Sequence, residues 1–311
     1  MNFSVVTENR VVVLLKKTLD AWLEDKALRL SAAVAYYSIF SIAPLLVISI
    51  GIAGLAFGEE AVRGQLQGQL TSYIGAPAAE GVQSLIQTAS KPSQGIMATI
   101  IGFATLLLGA SGVFGELKDA LNTIWEVKAK PGNTFKRFFR DRLMNFGMVL
   151  VIGFLLMTSL LMTTAIAALN HYLEMMFKLP AAVWAVIASL VSFSIVTTLF
   201  AFIFKVLPDA KVMWRNVWIG AAVTAALFET GKFGLSFYLG RESTASGFGA
   251  AGAVILLLLW VYYSSCILFF GAEFTQVYAR ETGHRILPSK NAEPMLPEER
   301  ARQGLNPTLK S

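Results

Sequence analysis

The sequence predicts an all-α membrane protein with six transmembrane helices, amphipathic interfacial helices and both termini in the cytoplasm. Three observations carry this. First, 55% of the 311 residues are hydrophobic and only 15% are charged, where soluble domains average about 25% charged. The mean hydropathy is +0.59. Second, uncharged runs of 29, 24, 31, 26 and 30 residues separate Arg29 from Glu59, Lys91 from Glu116, Arg142 from Glu174, Lys178 from Lys205 and Glu242 from Glu273. A helix rises about 1.5 Å per residue and needs about 20 apolar residues to cross the hydrocarbon core. Each run is long enough. Third, Lys and Arg segregate by loop, as described below. The pattern excludes a soluble enzyme, a disordered chain and a disulfide-stapled secreted domain. It also excludes an outer-membrane barrel, whose strands alternate over segments of about 10 residues.

The elements follow in order. Residues 1–31 form a cytoplasmic N-terminal unit. Within it Val11, Leu15, Leu19 and Trp22 recur at three- and four-residue spacing while Glu8, Lys16, Lys17, Asp20 and Glu24 fall elsewhere. That is an amphipathic helix along the inner face. The short apolar run there, followed by Lys16 and Lys17, does not resemble a cleavable signal peptide, so the first span, 32–57, acts as an uncleaved insertion signal. Residues 58–94 form an outer helical cap of two short helices, one bearing Val62, Leu66 and Leu70, the other opening near Pro77 and bearing Val82, Leu85 and Ile86. The second span, 95–115, continues into an interfacial helix with Leu117, Leu121, Ile124 and Trp125, closed by Pro131–Gly132. Spans at 143–169, 180–206, 216–239 and 248–277 complete the membrane domain, 32–283. Residues 284–311 are polar and carry Pro288, Pro294, Pro297 and Pro307, the composition of a disordered cytoplasmic tail.

Orientation comes from the basic residues. The N-terminal segment, the 115–142 and 205–215 loops and the tail hold 21 of the 26 Lys and Arg, and the opposite loops hold four. Basic residues mark cytoplasmic loops, so both termini face the cytoplasm. The net charge of +6 is thereby spent on topology and on anionic headgroups rather than on nucleic acid.

Only Lys232 remains unexplained by topology, and it lies three residues from Glu229 inside the 216–239 span. Charges in hydrocarbon are costly. The two either pair structurally or mark a polar point on a translocation path. Glu273, near the cytoplasmic end of the last span, is a weaker candidate for the same path, because a carboxylate there can reach water. Pro44 removes a backbone donor in mid-span and kinks the helix. With Tyr36, Tyr37 and Ser41 close before it, it makes a candidate cavity lining, against simple helix packing. Lys136, Arg137, Arg140 and Arg142, interleaved with Phe138 and Phe139, suit a headgroup layer. They are candidates for a lipid-headgroup site. The abundant glycines serve close helix approach. The run Gly247-Phe-Gly-Ala-Ala-Gly252 lacks the strand that a dinucleotide site requires.

The two histidines, His171 and His284, face opposite sides of the membrane, and the one cysteine, Cys266, lies within the last span. No metal, cofactor or catalytic residue is therefore expected, and no nucleotide motif is present.

Several stretches in order resemble the YihY/virulence factor BrkB family of bacterial inner-membrane proteins. They are Leu30-Ser-Ala-Ala-Val-Ala-Tyr-Tyr-Ser-Ile-Phe-Ser-Ile-Ala-Pro44, Gly109-Ala-Ser-Gly112 with its following helix, and Leu259-Trp-Val-Tyr-Tyr263 leading to Gly271-Ala-Glu273-Phe274. The resemblance runs from about residue 10 to 283. It implies six spans and an inner-membrane location, and it implies an association with envelope properties and a transporter-like character without an agreed substrate. Members often carry the label ribonuclease BN, but this chain lacks the metal-binding His/Asp constellation such an activity needs. The expected function is therefore not enzymatic. It is transport or flipping of a lipid-like or amphipathic anion, with membrane lipids as partners, or else a non-transporting scaffold in envelope assembly. Protein partners and oligomeric state are not legible.

Overall fold

The computed structural model describes residues 10–74, 76–89, 112–130, 181–241, 250–284 and 286–306. The expected span at 143–169, most of that at 95–115 and the basic run Lys136–Arg142 lie outside the described residues. The elements are α1 (Arg10–Glu24), α2 (Ala27–Phe57), α3 (Glu59–Ile74), α4 (Ala76–Ala89), α5 (112–124), β1 (Val127–Ala129), α6 (Ala181–Val206), β2 (Ala210–Lys211), α7 (Trp214–Arg241), α8 (Ala250–Glu281), β3 (Leu287–Pro288), β4 (Ala292–Pro294) and α9 (Pro297–Arg302).

The chain is mostly helical. The stretches Ser189–Val206 of α6 and Val254–Glu281 of α8 are long and apolar enough to cross a membrane, and α2 carries a shorter apolar stretch, Ala27–Ala43. α7 is as long as its neighbours, with 28 residues, but Arg215, Glu229, Lys232 and Arg241 interrupt its apolar run. α8 is the central strut. It packs against α1, α2, α4 and α7, and α7 in turn packs against α6.

The α7–α8 contact is built on two glycines. A Cβ on Gly220 would stand 1.8 Å from Thr275 Oγ1, and one on Gly271 would stand 1.7 Å from Thr224 Oγ1. Each helix thus offers a bare backbone to the other's threonine. Each threonine hydroxyl donates 2.7 Å to the carbonyl four residues back, of Gly220 and Gly271 respectively. No buried hydroxyl is left unsatisfied by this arrangement. Small residues and close backbones are how helices associate where lipid supplies no hydrophobic drive.

At one end of the bundle α3 and α4 fold over α2 and α8, closing on Leu46, Ile50, Val62, Val82, Ile86 and Leu257. The larger core lies at the opposite end, where Leu121, Ile124 and Trp125 meet Phe200 and Phe204. The Trp125 and Phe204 rings meet edge-on at 6.1 Å, a contact worth about 0.5–1.5 kcal/mol beyond its burial. α5 is therefore not the interfacial helix its apolar spacing suggests. Leu121, Ile124 and Trp125 are buried against Phe200, Phe204 and Leu207, and Leu117 is partly buried.

The tail also departs from expectation. Instead of being disordered, residues 286–306 fold onto that end of the bundle. β4 pairs antiparallel with β1, and β3 with β2, so the tail completes two ladders that the loops begin. Three of the prolines that suggest disorder occupy places where proline fits, and Pro307 lies outside the described residues. Pro288 and Pro294 sit in two-stranded ladders, where every strand is an edge, and Pro297 stands at the start of α9, where its missing N–H is no loss. Glu299 reaches back to accept the Leu296 N–H at 3.1 Å, which caps the helix.

Arg300 is the anchor. Its side chain is fully buried, with Nη2 2.7 Å from Asp25 Oδ1 and Nε donating 2.8 Å to the Asn306 carbonyl. Glu126 Oε1 lies 3.7 Å away and Glu126 Oε2 accepts from Arg280 at 3.1 Å. Lys26 and Glu126 close α1 and α5 at φ of 53° and 54°, left-handed conformations that cost a non-glycine residue about 1–2 kcal/mol. Both turns flank Arg300, whose two acidic partners hold them.

Candidate functional site

The charged pair inside α7 is formed as the spacing allows. Lys232 Nζ lies 2.7 Å from Glu229 Oε2, and both side chains are about one-fifth exposed, at 20% and 22%. Glu229 Oε1 is buried and has no hydrogen-bond partner among the described residues. One turn along, α8 comes close, and a Cβ on Gly231 would stand 2.1 Å from the Tyr263 hydroxyl oxygen. Phe228, beside Glu229, packs edge-on against Trp260 at 6.2 Å and against Phe200 at 5.7 Å. The pair therefore lies on α7 close to its contacts with α6 and α8, beside the aromatic cluster around Phe228.

The other expected positions are spread out. Pro44 lies within the continuous helix α2. Tyr36 and Tyr37 are exposed on α2, and their rings meet edge-on at 5.7 Å, with Phe40 5.3 Å from Tyr36. Ser41 is buried and its Oγ accepts the Val113 N–H at 3.2 Å, tying α2 to α5. Glu273 is wholly buried on α8 rather than reaching water. α2 and α7 each pack on α8. The headgroup candidates Lys136, Arg137, Arg140 and Arg142 lie outside the described residues.

A second polar place was not visible in the sequence. A cleft of about 430 Å³ opens between α5, β1, the turn after α6 and the tail. At its base Lys118 Nζ pairs with Asp209 Oδ2 at 3.0 Å, both nearly buried. The Asn122 amide clamps the same residue twice, donating to Asp209 Oδ2 at 3.3 Å and accepting the Asp209 N–H at 2.8 Å. The Asp209 carbonyl accepts the Ser289 N–H at 2.9 Å. One aspartate thus joins α5, the α6–α7 turn and the tail. The only signal in the sequence was the i, i+4 spacing of Lys118 and Asn122, which marks one helix face without naming its partner.

The rim of the cleft is charged. The β1–β4 register sets Lys128 opposite Glu293, with Nζ and Oε1 3.1 Å apart, and Lys128 also bonds Glu299. Glu299 in turn holds the Lys128 ammonium above the usual lysine range, and Lys128 holds the Glu299 carboxyl below the usual carboxylate range. Lys17, on α1, likewise lowers Glu281 at the end of α8. The signs set a window. A lowered acid contributes fully above its unfolded pKa, about 4.3, and loses that contribution as pH falls through the folded value. A raised lysine contributes fully below about 10.4 and loses it as pH rises through the folded value. The thermal midpoint in detergent is accordingly expected to be flat from about pH 5.5 to 10 and to drop in acid. A steep fall between pH 6 and 8 (order of magnitude of the histidine range) would point to a different set of groups.

Comparison with known proteins identifies a family. The family model described as virulence factor BrkB matches residues 18–295. Among curated relatives, a UPF0761 membrane protein of Tolumonas auensis is 27% identical over 282 residues, covering 88% of this chain and 87% of its own length. One of Vibrio campbellii is 29% identical over 252 residues, 78% and 74% of the two chains. One of Halorhodospira halophila is 26% identical over 255 residues, covering 81% of this chain but 54% of its own. The chain thus spans about half the length of several curated relatives it matches. No solved structure matches. The family match runs from within α1 through α8 and on into the tail as far as Met295, so the chain belongs to the virulence factor BrkB family of membrane proteins.

Proposed function

We propose that the chain spans the bacterial inner membrane six times with both termini in the cytoplasm and transports or flips a lipid-like or amphipathic anion. The observation that carries the reading is Glu229 Oε1, a buried oxygen with no hydrogen-bond partner among the described residues, beside Lys232 in the middle of α7. An orphaned buried acceptor costs about 1–3 kcal/mol, and an intramembrane charge is costly again. A purely structural pair would satisfy both oxygens. Here one is held ready for a donor, and an anionic headgroup competing for Lys232 would release the carboxylate.

Proteoliposomes loaded with labelled phospholipids or anionic amphiphiles test this. Transport should exceed that of protein-free vesicles, and Glu229→Ala or Lys232→Ala should reduce it by about tenfold, equivalent to about 1.4 kcal/mol. Rates equal to empty vesicles and indifferent to both substitutions would sink the idea. The folded tail and its cleft favour a second reading, a non-transporting scaffold in envelope assembly. That reading expects a stoichiometric protein partner on purification in mild detergent, and repeated recovery of the protein alone counts against it.

A further inference from the structure

α1 has three faces rather than two. At about 100° per residue, Thr18 and Ala21 point one way, and both are buried in the contact with α8. Arg10, Lys16, Lys17, Asp20 and Glu24 occupy a second sector and are exposed. Between these, over about one third of the circumference, Val11, Val12, Leu15, Leu19 and Leu23 are 41–59% exposed. A water-facing helix would place polar residues there, and a core helix would cover them. A helix lying in the corner between a protein wall, a bilayer and water has this arrangement.

The surroundings mark where the bilayer surface lies. α1 leads into α2 at the tail end of the bundle, where Asp25 binds Arg300. α7 begins at the same end, because β2, just before it, pairs with β3 of the tail. There Trp214 and Trp218 are exposed and stacked at 6.5 Å, with Lys205 Nζ 5.3 Å from the Trp214 ring. Exposed tryptophans beside lysine at the ends of long apolar helices are the side chains of a membrane–water interface. The exposed stripe of α1 is continued onto α2 by Leu28, itself exposed.

We propose that α1 is a bilayer-docking helix, with Val12, Leu15, Leu19 and Leu23 seated among the lipid chains of the cytoplasmic leaflet while its charged sector faces water. The proposal rests on the membrane-spanning reading given above. It assigns the lipid surface to α1, a place separate from the 136–142 basic run.

Bimane-labelled single-cysteine variants of the full chain test it, made in a Cys266→Ser background with Leu15→Cys, Leu19→Cys, Asp20→Cys, Glu24→Cys or Ile255→Cys. All five positions are exposed, so labelling leaves the packing intact. The proteins are reconstituted in nanodiscs of phosphatidylethanolamine and phosphatidylglycerol, with or without brominated acyl chains. Brominated lipid should quench the probes at 15 and 19 several-fold, as at 255 on α8, and leave those at 20 and 24 unchanged. Quenching at 255 but not at 15 and 19 overturns the proposal and leaves the membrane-spanning reading standing. Failure of the thiols at 15 and 19 to label at all would show a protein covering this face, also overturning it. Absence of quenching at 255 as well would overturn both.

Discussion

Arg300→Met is expected to destabilise the protein by about 3–5 kcal/mol, the usual cost of removing one partner from a buried ion pair. Asp25 would be left fully buried without the Arg300 guanidinium, and Glu126 would lose Arg300 while keeping Arg280. Asp25→Leu should do similar harm, by stranding the buried guanidinium. Asp25→Leu with Arg300→Leu should fall closer to the parent than either single variant, because two matched apolar groups strand no charge. The loss should be concentrated at one end of the bundle. Lys26 and Glu126 hold left-handed turns on either side of Arg300, and both can relax once it is gone. Amide exchange in 286–306 should rise most, with α3 and α4 at the opposite end little changed. Equal loosening throughout, or a double variant worse than both singles, would mean that Arg300 is not the anchor.

The contrast between the helices and the tail shows what a sequence makes legible. Helices declare themselves locally, since 26 or more residues without charge are a property of one segment. Hence α6 and α8 lie close to the expected 180–206 and 248–277. The Glu229–Lys232 pair was legible for the same reason, being one turn of one helix. The contacts that tie the tail to the bundle are distant in sequence. Arg300 meets Asp25 across 275 residues, and Lys128 meets Glu299 across 171. Nothing near Arg300 says it will be buried, and a six-residue helix with two adjoining prolines looks like linker. Asp209 was hidden likewise, as its partners Lys118 and Asn122 on α5 and Ser289 in the tail are all distant in sequence. The expected interfacial helix at 117–125 failed through a subtler ambiguity. An apolar stripe is the same whether lipid or protein covers it, and only the fold decides. On α5 the cover is protein. On α1 the stripe is left open beside a protein-facing side, a distinction that the 3.6-residue period alone cannot make.

Gly271→Ala should be the most damaging single-methyl change in the described helices. The added Cβ would stand 1.7 Å from Thr224 Oγ1 and 2.8 Å from its Cβ, so rotating the threonine cannot remove the clash. Either the helices separate or the backbone bends, and overpacking of this kind costs about 1–3 kcal/mol or more. Gly220→Ala should match it, because Thr275 stands at 1.8 and 2.9 Å in the reciprocal position. The pairing makes a rescue possible. Gly271→Ala combined with Thr224→Gly moves the small residue to the other helix and should recover much of the loss. Gly271→Ala combined with Thr275→Gly removes a threonine from the same helix, leaves the clash in place and should recover none. Thermal midpoints of the purified variants in one detergent measure the coupling, which should reach about 1–3 kcal/mol for the facing pair. A separated α7–α8 seam would also loosen the packing beside Glu229 and Lys232, since Gly231 and Tyr263 lie along the same contact. Gly271→Ala is therefore expected to disturb transport as well as stability, and the Thr224→Gly rescue should restore both together. Recovery of stability without transport would separate the seam from the ion pair.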